Sequence, residues 1–168
     1  FRIPPYSSEH FAVAEVSRAL LGMGRASRLY RSLVRERRVA KGVVTYAFPL
    51  LTSASMLLTW ATGYPDSTPK ELEAALTEEI EGLVEAKQRE VDRAITLMET
   101  DLVRALEHVS ERANLLSMFD LYFDDPDRLN HEIDRLRAVT VDQIRDFATS
   151  QLGSDNRALL VYEPKRNS

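Results

Sequence analysis

The chain contains no cysteine, only three histidines and one tryptophan, and six glycines in 168 residues. Zero cysteine excludes disulfides and thiolate metal ligands, and is compatible with either redox compartment. The histidines, His10, His108 and His131, are too far apart in sequence to pair on one helix as zinc ligands. His108-Val109-Ser110-Glu111-Arg112 has arginine where H-x-x-E-H requires its second histidine. His131-Glu132-Ile133-Asp134-Arg135 departs from H-E-x-x-H in the same way, so all three histidines read as helix-surface side chains. There is no G-x-x-x-x-G-K-[ST] and no G-x-G-x-x-G, which removes the usual phosphate loops, and no nucleophile elbow supports Ser/His/Asp catalysis. No apolar run approaches the roughly 20 residues of a membrane span. The start, Phe1-Arg2-Ile3-Pro4-Pro5, has neither a basic n-region nor a long apolar h-region. A strand-like start on Phe1 rather than Met is expected of a piece cut from a longer protein, which leaves the compartment open between cytoplasm, periplasm and organelle.

What is present suffices for one core. With 44% apolar and 29% charged residues, positions 1–168 fit a single globular domain. Ser8-Glu9 suits a helix start, and Ala12, Val16, Ala19 and Leu20 share a face of a helix over about 8–22. A second helix is expected from Ser27 to about Arg38, with Leu29 and Leu33 one turn apart. Val43–Leu51 and Ala54–Gly63 read as an antiparallel strand pair, the first bulged or at an edge where Pro49 cannot donate. Met56, Leu58 and Trp60 read as one buried sheet face. Thr68-Pro69-Lys70-Glu71 is a capping box with proline at the first helical position, opening a helix with Leu72, Leu76, Ile80 and Leu83 on one side. The apolar series from Val91 to Leu116 steps by threes and fours and predicts one helix of about 30 residues. Its Ala105 and Ala113 suit close packing in an internal core better than the seam of an oligomerising coiled coil. Asp125-Pro126 starts a helix bearing Leu129, Ile133 and Leu136, and Thr140-Val141-Asp142-Gln143 starts one stopped by Gly153. Arg157–Tyr162 reads as a last strand ended by Pro164. The order implies an α+β two-layer sandwich, a small mixed or antiparallel sheet packed on a helical layer.

Charge is uneven. Arg25 to Lys41 holds seven basic residues and one acid, a local charge of +6 in a chain of net −4, leaving −10 on the remainder. Such a segment can bind nucleic acid or anionic lipid. Against this stand the pI of about 5.5 and the single interleaved aromatic, Tyr30, so a solvated or partner-facing helix is the better reading and no nucleic-acid partner is expected.

The most informative stretch is Leu21-Gly22-Met23-Gly24-Arg25-Ala26-Ser27-Arg28-Leu29-Tyr30-Arg31-Ser32-Leu33-Val34. Gly22 and Gly24 can take the positive φ that ends a helix, and Ser27 can accept from the free N–H groups of the next. This LGxGxxSRLYxxL turn, about 20 residues into the domain, resembles the second, non-zinc domain of the pitrilysin/insulinase-type metallopeptidases, relatives of mitochondrial processing peptidase. The opening Phe-Arg-Ile-Pro, the central strand pair, the long helix, the Asp-Pro and Val139-Thr140 helix starts and the final LLVYEP extend the likeness along the whole chain.

The resemblance implies the processing-peptidase-like fold for a C-terminal, inactive, substrate-binding domain of a longer protein. Zinc is expected in a partner domain carrying H-x-x-E-H, and none in this chain, which alone should neither retain stoichiometric zinc nor cleave peptides. Implied partners are that zinc-bearing domain or subunit, an extended peptide substrate, and a second half in a homo- or heterodimer. In the family a segment resembling LRExxxLAY supplies an arginine and a tyrosine near the metal. Here Val34 stands for the arginine and Lys41 for the tyrosine, and a shift by one offers Arg35 with Gly42. Valine cannot donate the charge-assisted hydrogen bonds of a guanidinium, so the pair is expected from another subunit. Substrate or domain-interface candidates are Ser27, Arg28, Tyr30, Arg31, Arg35 and Lys41; their plain structural reading is Ser27 as cap, Arg28 paired to a carboxylate and Tyr30 packed. The alternative to a peptide-chamber domain is a non-catalytic core subunit of a larger assembly.

Overall fold

The computed structural model describes residues 1–163. Pro164, the expected end of the last strand, lies outside them. The elements are β1 (Arg2–Ile3), α1 (Phe11–Gly22), a π-helix (Tyr30–Glu36), β2 (Ala40–Phe48), β3 (Ser55–Gly63), α2 (Pro69–Glu81), α3 (Gln88–Glu107), α4 (Val109–Phe123), α5 (Arg128–Arg137) and α6 (Val141–Gln151), with short 3-10 turns at Gly82–Glu85 and Ser154–Asn156. The sheet is antiparallel in the order β1-β3-β2, with Val44 opposite Trp60 and Arg2 opposite Met56. The fold is α+β: one sheet face carries Val43, Thr45 and Leu57 against the helices.

Local chemistry explains the elements. Both threonine capping boxes close: Thr68 Oγ1 accepts from the Glu71 amide, and Thr140 Oγ1 from that of Gln143, while the third residue's side chain returns to each cap amide. α1 buries Phe11, Val16, Leu20 and Leu21, and its carboxyl end lies against β2. A Cβ on Gly22 would fall 2.2 Å from Thr45 Oγ1, so Gly22 is fixed by space. The positive φ, +77°, is at Gly24. Thr45 Oγ1 in turn donates to the Arg18 carbonyl at 2.9 Å, tying sheet to helix.

Several expectations are corrected. The first helix begins at Phe11, and the second is mostly a π-helix over Tyr30–Glu36. β2 ends at Phe48, just before Pro49, and its irregularity is at Ala40/Gly42; it is the edge strand the proline suggested. The single long helix is two, because His108 is extended at φ −88° and ψ 121°. That one residue redirects the chain so that Leu115, Met118, Phe119 and Phe123 return to the core, whereas Val109 and Ala113 stay exposed and Ala105 is half-buried. α6, by contrast, ends as expected, at Gln151 with Leu152 as its cap and Gly153 next. Arg157–Tyr162 is not a strand: it has no ladder partner among the described residues, and Leu159–Tyr162 are exposed.

Candidate functional site

The open face of the sheet overturns the buried face expected from Met56, Leu58 and Trp60. Side chains alternate along a strand, so with Leu57 at 1% exposure its neighbours must point the other way. Trp60 is 53% exposed and Met56 44%. Cross-strand pairs Val44–Trp60, Tyr46–Leu58 and Phe48–Met56 then form a contiguous apolar surface. The Tyr46 and Phe48 rings lie 5.7 Å apart, and Tyr162 stacks on Trp60 at 6.3 Å. A sheet is covered on one face only when one layer of helices is available, and here Thr45 Oγ1 ties its face of β2 to α1 through the Arg18 carbonyl. The signal was in the sequence: Met56, Leu58 and Trp60 alternate with Ser55, Leu57 and Thr59, and periodicity alone assigns the more apolar set to the inside, whereas the set with two hydroxyls is the covered one.

The six candidates of the turn separate by environment. Ser27 is buried and its hydroxyl donates to the Gly24 carbonyl at 2.8 Å. Arg28 spans three elements: Nε and Nη2 donate to the two Glu90 oxygens at 3.1 and 2.9 Å, and Nη1 to the Gly82 carbonyl at 2.6 Å. Burial would raise the Glu90 carboxyl, but the Arg28 fork and the Lys87 amide outweigh it and hold the pKa below the usual carboxylate value. Tyr30 is half-buried; Arg31 is exposed at 3.7 Å from Glu36, and Arg35 is exposed. Lys41 sits over the Tyr64 ring at 5.9 Å. Arg28, Arg31 and Arg37 of the basic segment are thus already paired with acids of the same domain.

Sequence reasoning did not single out a cavity between α1, α3, α4 and α5, of about 280 Å³, lined by Met98, Met118 and Phe119 together with Glu15, Arg18, Glu132 and Arg135. Arg135 Nη2 donates to Glu15 and Glu132, each at 2.6 Å. Burial pushes the Glu15 carboxyl up despite Arg135, and burial with the nearby Glu15 charge pushes the Tyr6 hydroxyl up to about 12. None of the six turn candidates lines this cavity. Among the described residues no three of His, Asp and Glu converge to hold a metal ion, and no helix is long and apolar enough to cross a membrane. The three histidines are all exposed.

No family model matches the chain, and no curated protein does. Solved structures do. The inactive peptidase domain of a candidate zinc protease from Bordetella parapertussis is 21% identical with a TM-score of 0.80, over 94% of this chain and 86% of that one. A protease from Helicobacter pylori is 23% identical with a TM-score of 0.79, over 88% of this chain and 36% of that one, so this chain spans about a third of its length. A chain of the complex III2 assembly of Candida albicans is 16% identical with a TM-score of 0.76, over 89% of this chain and 38% of that one. The fold is that of the inactive peptidase domains of zinc proteases.

Proposed function

We propose that this chain is the non-catalytic second domain of a pitrilysin-type zinc peptidase, and that the open sheet face built on Val44, Tyr46, Phe48, Met56 and Trp60 packs against the zinc-bearing half and walls the peptide chamber. The observation that carries this reading is that face: a contiguous apolar surface rich in aromatics is what buried interfaces are made of and what a domain alone in water avoids. In this reading metal and water activation belong to the partner, because H-x-x-E-H does not occur in this sequence. Arg31, Arg35 and Lys41, exposed on one continuous segment of the chain, remain the side chains for contacts across the chamber, while Ser27, Arg28 and Tyr30 hold the turn that presents them.

The likeness to a chain of complex III2 favours a second reading, a core subunit of a larger assembly with no proteolytic role. One experiment separates the two. The full natural polypeptide is purified with its bound partners, and its zinc content and cleavage of a quenched fluorogenic peptide are measured. Zinc, an H-x-x-E-H-bearing half and cleavage abolished by chelator are expected; an assembly whose every member lacks that motif and zinc gives the structural reading instead.

A further inference from the structure

Three helices bring charge to the cavity of the helical layer at helical spacing: Glu15 and Arg18 one turn apart on α1, Met98 and Asp101 on α3, Glu132 and Arg135 on α5. Met118 and Phe119 complete the lining from α4, which the extended backbone at His108 separates from α3.

These charges fall into two sets. Arg135 is committed to the fold: Nη2 donates to Glu15 and Glu132, and Nε to both Glu132 oxygens at 3.2 and 3.1 Å. Arg128 Nε gives Glu132 a further donor at 3.3 Å. Arg18 and Asp101 form the other set. Burial pulls the half-buried Arg18 guanidinium down, and Glu15 and Asp101 act on it through space, with no hydrogen bond to it from any described side chain. Asp101 is exposed and likewise has neither hydrogen bond nor ion pair among the described residues. Taking a guanidinium out of water without a partner costs free energy that a bound carboxylate returns.

Charge and size together select the ligand. A simple anion would add negative charge beside Glu15 and Asp101, and a simple cation would be repelled by Arg18. A zwitterion brings no net charge and gives each of the two unpaired groups its partner. The rest of the contact is apolar, from Met98, Met118 and Phe119, and methionine adapts to the shape of what it touches. An apolar cavity of about 150 Å³ holds benzene, and drug-sized ligands take about 300–1,000 Å³. At about 280 Å³ this cavity has room for one amino acid and too little for a peptide.

We propose that the cavity binds a free apolar α-amino acid, its carboxylate on Arg18, its ammonium on Asp101 and its side chain against Met98, Met118 and Phe119. This concerns the helical layer and is independent of the open sheet face and of the zinc-peptidase reading.

Titration calorimetry of the natural polypeptide with L-leucine tests this. Saturable binding is expected, at least about tenfold tighter than that of 4-methylpentanoate, which lacks the ammonium, or of L-leucinamide, which lacks the carboxylate. Arg18→Gln and Asp101→Asn should each weaken leucine binding by about tenfold or more. No saturable heat up to about 10 mM leucine overturns the proposal, as does equal affinity for 4-methylpentanoate. Leucine binding that survives both substitutions overturns it too, by placing the amino acid elsewhere in the polypeptide. Should a variant fail to fold, the methionine methyl resonances of the unaltered polypeptide decide: those of Met98 and Met118 should shift along the leucine saturation curve, and that of Met56 on the open sheet face should not. Unmoved Met98 and Met118 methyls count against the site.

Discussion

The two faces of the β2–β3 sheet are made of similar residues and meet opposite surroundings. On one, Leu57, Val43 and Thr45 are buried against α1 and its neighbours; on the other, Trp60, Tyr46 and Phe48 stand open to solvent. Polar residues do not mark the outside, as they would on a sheet with one permanently wet face. The difference lies in what is available to cover each side: the helices of this chain supply one layer, and the second face keeps a composition suited to a cover from elsewhere. Stability of the isolated domain should therefore come from one face and association from the other.

The largest effect expected of this division is at Leu57. Leu57→Ala should cost about 2–5 kcal/mol in urea unfolding, as lost burial plus a cavity in the core, whereas Met56→Ala, one residue along the same strand, should cost below about 1 kcal/mol. Equal losses at the two positions would mean that the open face is already packed by the domain itself.

Charge on the covered side sharpens the contrast next. The Arg28–Glu90 pair, with side chains 12% and 16% exposed, joins the start of the π-helix region to α3, while Arg31–Glu36, at 53% and 63%, is solvated. Arg28→Met should cost about 1–3 kcal/mol near pH 7, by leaving Glu90 and the Gly82 carbonyl short of their donor. Because the folded Glu90 pKa lies below its ordinary value of 4.5, its contribution is present above that value and lost as pH falls through the folded one. The gap between wild type and Arg28→Met should thus narrow on acidification below about 4.5. A gap constant from pH 7 to 3 would assign the loss to packing of the arginine stem.

Much of this architecture was legible from local chemistry. The Thr68 and Thr140 boxes, the Gly24 turn and the strand pair follow from residues whose neighbours in sequence are also their partners in space. The failures share a cause: they needed knowledge of what lies across from a segment. Trp60 and Met56 are apolar and in a strand, and only the number of helical layers decides that they face water. The Leu159–Tyr162 run has strand composition, and a strand exists only where another chain segment offers it a ladder. The break at His108 is invisible to periodicity, since the apolar steps continue through it. Around the candidate site, the turn itself was legible, but the sheet face and the cavity between α1 and α5 are assembled from residues distant in sequence.

The smallest effect on stability is the most telling for the open face. Among the described residues Trp60 makes one internal side-chain hydrogen bond, to Thr62 on its own strand, and one ring contact, with Tyr162. Trp60→Lys removes little that the folded chain has gained over the unfolded one, so the unfolding free energy of the isolated domain should move by less than about 1 kcal/mol. A large aromatic near the centre of an interface is, by contrast, a residue on which binding concentrates, and truncating it typically costs about 2 kcal/mol or more. Trp60→Lys should accordingly weaken association with the proposed zinc-bearing half by about 30-fold or more, measured by titration calorimetry at fixed salt. A lysine also tests the nature of the cover, because an apolar partner must desolvate the ammonium whereas a wet peptide channel leaves it hydrated. Unchanged affinity with unchanged stability would therefore place Trp60 on the channel wall and move the interface toward Arg31 and Arg35, and a stability loss matching that of Leu57→Ala would break the distinction between the faces altogether.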